Sequence, residues 1–297
     1  MITIFTPTYN RAGTLPRLYN SLLKQTNHKF EWIIIDDGSV DNTEEVVAQF
    51  LSNNNSFEIV YKKKPNGGKH RAINDAVKMA KHDWFFIVDS DDFIVDRAIE
   101  MIISWIKTVE DDNSFAGVAG LKGHIDKEDK VGQYPSGEKY KEYIDATNLQ
   151  RRKFKLSGDK AEVYRTAVLL KFPFPEFEGE NFMSEAVVWD AIAESGYKLR
   201  WYNEVIYRCE YLEGGLTRTL QTVVVNNYQG FTYYTKTRIK TNDWLMKQSA
   251  IEHYLKASKL KGLSFKEARN NIDIALYKTF IPFAVRFAKK TLRKVKK

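Results

Sequence analysis

The chain has 297 residues, 43% hydrophobic and 28% charged, with 16 Gly and 7 Pro; this excludes a disordered or collagen-like polymer and leaves room for one large core plus an appendage. A single cysteine, Cys209, excludes an intramolecular disulfide and a cysteine-rich zinc site, and points to a reducing compartment. The formal net charge of +8 is unevenly placed: residues 251–297 hold 13 Lys and Arg against 3 Asp and Glu, residues 1–250 hold 33 against 35, and the body therefore gives nucleic-acid binding no electrostatic support.

In chain order, residues 2–6 read as a short strand. Residues 11–25 place Leu15, Leu18, Leu22 and Leu23 at helical spacing. The apolar run Glu31-Trp32-Ile33-Ile34-Ile35-Asp36 reads as a strand buried on both faces. Residues 42–51 read as a helix with Glu44 and Glu45 early, where the dipole favours them. Strands follow at 57–61, 84–88 and 115–120, with helices at 69–81 and 96–108 between them. This alternation predicts an α/β fold with a mostly parallel, doubly wound sheet flanked by helices. Ligands of such sheets sit at the carboxyl ends of the strands, so the loops there are the candidate site.

Those loops are polar and acidic. The first is Pro7-Thr8-Tyr9-Asn10-Arg11, the second Asp36-Asp37-Gly38-Ser39, the third Asn66-Gly67-Gly68-Lys69 and the fourth Asp89-Ser90-Asp91-Asp92. Three carboxylates in four residues need a cation or donors to neutralise them, and hard divalent cations prefer such oxygen ligands. Asp92 reads equally as a helix N-cap, and Asp41 as a cap of the helix after the second loop. Flexible glycine backbone followed by Lys69 at a helix start suits an anionic phosphate, although the spacing is not that of a P-loop. No G-x-G-x-x-G follows the first strand, which disfavours a dinucleotide dehydrogenase.

Taken in order, Thr6-Pro-Thr-Tyr-Asn-Arg11, Asp36-Asp-Gly-Ser39, Asn66-Gly-Gly68 with Asn74, and Asp89-Ser-Asp-Asp92 resemble the family 2 glycosyltransferases of the GT-A fold, of the bacterial surface-polysaccharide type. The resemblance is close over residues 1–120 and looser to about residue 217. It implies that Pro7 and Tyr9 line a base pocket and that Asp37 accepts from the base. It also implies that Asn66, Lys69, Arg71, Asp89 and Ser90 contact the donor. Asp91, with Asp89, matches the D-x-D pair that holds Mn²⁺ or Mg²⁺. Many relatives carry Arg where this chain has Ile73.

The inverting members need a carboxylate to deprotonate the acceptor. Their Glu-Asp pair, four residues before a Trp, aligns with Ser184-Glu185, ahead of Trp189, which makes Glu185 the base candidate and Glu180 its reserve. On composition alone, Ser184 and Glu185 read equally as an N-cap and a first-turn acid. Two short strands are expected at 197–201 and 205–209, with Cys209 in a core setting. Residues 213–217 resemble a flexible loop closing near the diphosphate, and 123–150 read as a long polar loop. Helical periodicity dominates from residue 219, with helices at 244–255 and 265–287. Residues 280–297 are basic and amphipathic, with seven cations from Arg286 onward and no acid, which suits peripheral contact with an anionic membrane.

The expected division is 1–217 as the glycosyltransferase domain, with 1–120 for nucleotide sugar and 121–217 for acceptor and catalysis, and 218–297 as a helical extension. The first residues have no basic run before a long apolar core, so no signal peptide is expected, and no stretch reaches the roughly 20 apolar residues of a membrane span; a soluble, cytoplasmic protein is expected, peripheral on the inner face of the cell membrane through its tail. The expected activity is transfer from a nucleotide-diphosphate sugar, UDP-linked, to a saccharide or lipid-linked hydroxyl. Two rivals stay open: a non-catalytic nucleotide-sugar-binding subunit and a sugar nucleotidyltransferase. A membrane-surface adaptor would rest on the tail alone.

Overall fold

The computed structural model describes residues 1–125, 129–210, 220–240 and 244–276. The chain forms two compact units, Met1–Phe174 with Val188–Leu212, and Pro175–Val187 with Glu213–Lys297. The second unit thus takes a segment from inside the range that the sequence assigned to one domain.

The first unit contains β1 (Ile2–Thr8), α1 (Leu15–Leu23), β2 (Phe30–Asp36), α2 (Thr43–Ser52), β3 (Glu58–Lys63), α3 (Lys69–Met79), β4 (Trp84–Ile87), β5 (Phe93–Ile94), α4 (Ala98–Ile106), β6 (Phe115–His124), β7 (Tyr143–Ala146), β8 (Lys160–Arg165), α5 (Thr166–Lys171) and β9 (Lys198–Cys209). Helix α6 (Ala186–Glu194) starts at the unit boundary. The strands make one nine-stranded sheet in the order β3-β2-β1-β4-β8-β6-β9-β5, with β7 also on β9.

The half built from β3, β2, β1 and β4 is parallel, as the alternation predicts. Beyond β4 the sheet is mixed: β8 runs antiparallel to both β4 and β6, β6 is parallel to β9, and β9 is antiparallel to β5 and β7. "Mostly parallel" therefore holds for one half only. The chain reaches β8 through a long excursion rather than a short helical crossover, and this frees the strand direction. The expected strands at 197–201 and 205–209 are one strand whose register against β6 shifts at irregularities. The loop expected at 123–150 contains β7, and β5 occupies two residues between the acidic loop and the helix expected from residue 96.

The apolar spacing explains the packing. Leu15, Leu18 and Leu22 of α1 are fully buried, whereas Leu23, expected with them, falls on the exposed face at 41%. Ile2 and Ile4 of β1, Trp32 and Ile34 of β2 and Phe86 of β4 join Ile99 and Ile102 of α4 in the main core. The buried Glu31 is held through Oε1, which accepts from the Thr3 hydroxyl at 2.6 Å and from the Lys81 N–H at 2.8 Å. Cys209 is buried, as its apolar setting implies.

The second unit contains α7 (Leu220–Asn226), α8 (Tyr228–Lys240), α9 (Trp244–Leu260) and α10 (Phe265–Asn271). Its core gathers Tyr228, Ile251, Tyr254, Leu255, Ala268, Ile272 and Ile274. The helix expected over 265–287 ends at Asn271, where Asp273 takes a left-handed φ of 53°. The basic segment 280–297 and the loop 213–217 lie outside the described residues. Among the described residues no helix is long and apolar enough to cross a membrane.

Gly117 of β6 has no room for a side chain, because a Cβ there would collide with the Val163 carbonyl oxygen of β8. Gly117→Ala is expected to lower stability by about 1–3 kcal/mol through overpacking. Urea unfolding measures this, and an unchanged midpoint would refute the close β6–β8 approach.

Candidate donor and metal site

Four loops meet at the carboxyl ends of β1 to β4. The first two are latched together by their own backbone. Asn10, at a left-handed φ of 53°, donates its N–H to Ser39 Oγ at 2.9 Å and accepts from the Val40 N–H at 2.9 Å. The Arg11 N–H bonds Thr43 Oγ1 at 3.0 Å and the Ala12 N–H bonds Asp41 Oδ2 at 3.1 Å. Asp41 also accepts from the Thr43 N–H at 3.1 Å, so it joins the start of α2 to the first loop.

The paired acids of the second loop divide their roles. Asp36 is fully buried and accepts from the Ser39 N–H at 2.7 Å and the Tyr61 hydroxyl at 2.9 Å, which fixes the turn. Burial and this carboxylate hold the Tyr61 phenol well above its usual range. Asp37 accepts from the Gly67 N–H at 2.9 Å and the Gly68 N–H at 2.7 Å, and the Asn66 amide donates to its carbonyl at 2.9 Å. Burial pushes the Asp37 carboxyl up against the pull of those two donors. Gly38, at φ 87°, allows the approach, since a Cβ would lie 2.9 Å from the Asn66 nitrogen. Asp37 and Asn66 thus meet directly. Pro7, next to last in β1, is in register with Ile35, and Tyr9 follows the strand, 46% exposed. Arg71 lies along Gly67, where a Cβ would stand 2.8 Å from its Cδ.

The acidic loop follows β4. Its carboxylates are matched to cations from other elements. Lys69, first residue of α3, holds Asp89 at 2.6 Å, and Arg11 lies 3.6 Å from Asp91. The Arg17 guanidinium of α1 bonds the Asp91 carbonyl. Burial alone would raise the Asp89 carboxyl, but Lys69, Lys122 and Arg11 hold it below the usual range. The same two acids act back on Lys122 of β6: burial alone would lower its ammonium, and Asp89 and Asp92 hold it above the usual value. Ser90 is buried behind the loop.

Asp92 is not a helix cap. The Tyr207 hydroxyl of β9 donates to it at 2.8 Å while accepting the Asp89 N–H at 2.9 Å, and the Glu210 N–H adds a third bond at 3.3 Å. Burial, then the neighbouring Asp89 charge, pushes the Asp92 carboxyl up to about 7. Asp92 is the anchor of the loop, leaving Asp89 and Asp91 partly exposed with side-chain accessibilities of 29% and 26%. Two hard-oxygen carboxylates that are already facing cations fit a divalent cation bound together with substrate phosphates. Lys122 and Tyr207 escaped the sequence reading. A lone Lys in the apolar run of β6 was the available signal; Tyr207 gave none.

The base candidates belong to the second unit. Glu180 accepts from the Gln229 and Gly230 N–H groups, each at 2.7 Å, so both its oxygens hold the first turn of α8. Glu185 is half-buried at the residue before α6, and the Val187 N–H bonds the Ser184 carbonyl at 3.1 Å.

A carboxyl titrating near 7 in the fold, against 3.8 ordinarily, favours folding while it is protonated. In metal-free buffer, stability is therefore expected to fall as pH rises from about 4 through about 7, with Asp37 adding in the same direction. Asp89 has the opposite sign and costs stability only on further acidification. Urea midpoints of wild type and Asp92→Asn check this; equal slopes in the two proteins would exclude Asp92 as the source.

The model of the family described as glycosyl transferase family 2 matches residues 3–169, which span all four loops. Glycosyltransferase GlyG of Streptococcus pneumoniae is 31% identical over 112 residues, 38% of this chain and 37% of that protein, so the match covers a minority of that relative's length. The crystal structure of Staphylococcus aureus TarS 1–349 in complex with UDP-GlcNAc matches with a TM-score of 0.60 at 20% identity, over 90% of this chain and 77% of that one. The mannosyltransferase PcManGT from Pyrobaculum calidifontis, in complex with GDP-Man and Mn²⁺, matches at 0.57 and 17% identity, over 99% of this chain and 80% of that one. The structural likenesses establish a GT-A fold with a helical C-terminal part, and the matched motif loops converge on one rim of that fold: the chain belongs to glycosyl transferase family 2.

Proposed function

We propose that the protein is an inverting, metal-dependent glycosyltransferase that moves a sugar from a UDP-linked donor to a hydroxyl of a saccharide or lipid-linked acceptor, in cell-surface polysaccharide synthesis. One observation carries the reading: Asp89 and Asp91 stand at a strand end facing Lys69 and Arg11, a row of alternating charge suited to a diphosphate and its counterion. The UDP-GlcNAc of TarS and the GDP-Man with Mn²⁺ of the mannosyltransferase support the donor class.

In this reading the exposed ring of Tyr9 stacks on the base beside Pro7. Asp37 keeps lone pairs for a base N–H beyond the two glycine amides it already accepts. Lys69, Arg71 and Arg11 neutralise the diphosphate. Asn66 and Ser90 shape the backbone around it. A Mn²⁺ or Mg²⁺ held by Asp91 and Asp89 supplies charge neutralisation of the leaving nucleotide. Glu185 takes the proton of the acceptor hydroxyl, whose oxygen attacks the anomeric carbon as the bond to the diphosphate breaks, inverting that centre. Both oxygens of Glu180 are taken by the start of α8, and the position of Glu185 four residues before Trp189 supports it as the base. The protein works in the cytoplasm in this reading, with residues 280–297 touching the inner face of the membrane.

Calorimetry of UDP and other nucleoside diphosphates tests the donor site. Mn²⁺-dependent UDP binding is expected in wild type and is expected to weaken at least about tenfold in Asp91→Asn. Absence of metal-dependent binding to every nucleotide would end this reading.

Glu185→Gln separates an enzyme from a non-catalytic binding subunit. Transfer is expected to drop by about 10²–10⁴ while UDP affinity stays. A variant as active as wild type would remove Glu185 from the mechanism.

A further inference from the structure

The second unit carries a surface feature that donor chemistry does not use. Helix α9 ends at Leu260 and α10 begins at Phe265, and the turn between them is fixed at both ends. Gly262 takes a φ of 80°; its N–H donates to the Lys259 carbonyl at 3.1 Å and the Leu263 N–H donates to the Ser258 carbonyl at 3.0 Å, a Schellman closure of α9. Ser264 opens α10 with a reciprocal capping box: its Oγ accepts the Glu267 N–H at 3.3 Å and its N–H donates to the Glu267 carboxylate at 2.8 Å. Leu263 packs against the unit's own core.

This rigid turn leaves Leu260 60% and Phe265 45% exposed. Lys259 and Lys266 adjoin them in the chain and are exposed, whereas Lys261 turns its ammonium to the Val225 carbonyl at 3.2 Å and over the Tyr228 ring. Residues 259–266 contain no Asp or Glu, and Glu267, which follows, is engaged by the cap. Two large exposed apolar side chains on a fixed turn, each next to an exposed cation in the chain, match a partner with an anionic rim and an apolar interior. A second copy of this chain, meeting the turn about a twofold axis, would set Lys259 and Lys266 against their own copies, which disfavours it.

We propose that the α9–α10 turn is a docking tip for an anionic bilayer. Leu260 and Phe265 enter the boundary between headgroups and acyl chains, and Lys259 and Lys266 face the lipid phosphates. Apolar insertion and charge attraction are each weak alone and hold a protein on a membrane together. The tip acts on residues separate from the basic segment 280–297, and the inference does not rest on the donor-site reading.

The test is sedimentation of the full chain with vesicles of phosphatidylcholine, alone or mixed with an equal share of phosphatidylglycerol. Binding is expected to the mixed vesicles only. The double variant Leu260→Asp, Phe265→Asp is expected to bind about tenfold more weakly, with unchanged helix content, melting temperature and Mn²⁺-dependent UDP binding. Should the aspartates disturb the fold, Leu260→Ser with Phe265→Ser carries the same expectation. Three results would overturn the proposal: wild type that ignores phosphatidylglycerol, a folded double variant that binds as wild type does, or a dimer of wild type that the variant dissolves. UDP binding, read on the same samples, reports the donor site separately.

Discussion

Three carboxylates packed into four residues at the end of β4 repel one another unless the fold neutralises them. Here each acid has its own solution. Asp89 is met by Lys69 from the start of α3, Asp91 by Arg11 from the first loop, and Asp92 by the Tyr207 hydroxyl and the Glu210 amide. Lys122, on the neighbouring β6, adds positive charge behind the loop and draws the Tyr207 ring beneath its ammonium at 4.1 Å. These partners come from β6, β9, α3 and the first loop, so the loop takes its shape only when the sheet is complete.

The side of the rim built by the first three loops is stiff for a related reason. Its loops satisfy their backbone groups mostly with one another's side chains. Asn10, Ser39, Asp41 and Thr43 close the first pair of loops, and Asp37 closes the second onto the third through Gly67 and Gly68. Spacing within this cluster is tight enough that Gly38 must be glycine in both conformation and contact. Such a frame holds Tyr9 and Lys69 at set positions before any ligand arrives, which lowers the ordering cost of binding.

The second unit uses the same economy with different parts. Glu180 spends both oxygens on the first turn of α8, and Asn227 Oδ1 accepts from the Asn181 and Phe182 N–H groups at 2.8 and 2.9 Å. The segment around Glu185 is thereby tied to the helices that follow much later in the chain. The buried Tyr228 and Tyr254 rings stack at 5.3 Å, with Tyr228 bonded to the Ser258 hydroxyl, giving the unit a core of its own.

Local patterning was enough for the parallel half of the sheet. Continuous apolar runs at β2 and β4 can only be buried on both faces, and the polar loops after them mark the rim on which the family motifs meet. The four acidic and glycine-rich loops, and Lys69 at the start of α3, were legible because each lies within a few residues of its strand. Arrangements between distant segments were not. The reversal of β8, the single long β9, β7 inside a polar stretch, and the placing of Lys122 and Tyr207 against the acidic loop depend on pairings across tens of residues, which leave no periodicity in the chain. Glu180 looked like a free carboxylate because its amide partners lie about fifty positions away. Periodicity records which face of an element is buried; the direction of the neighbouring strand and the counterion of a buried charge are fixed only when the segments close on each other.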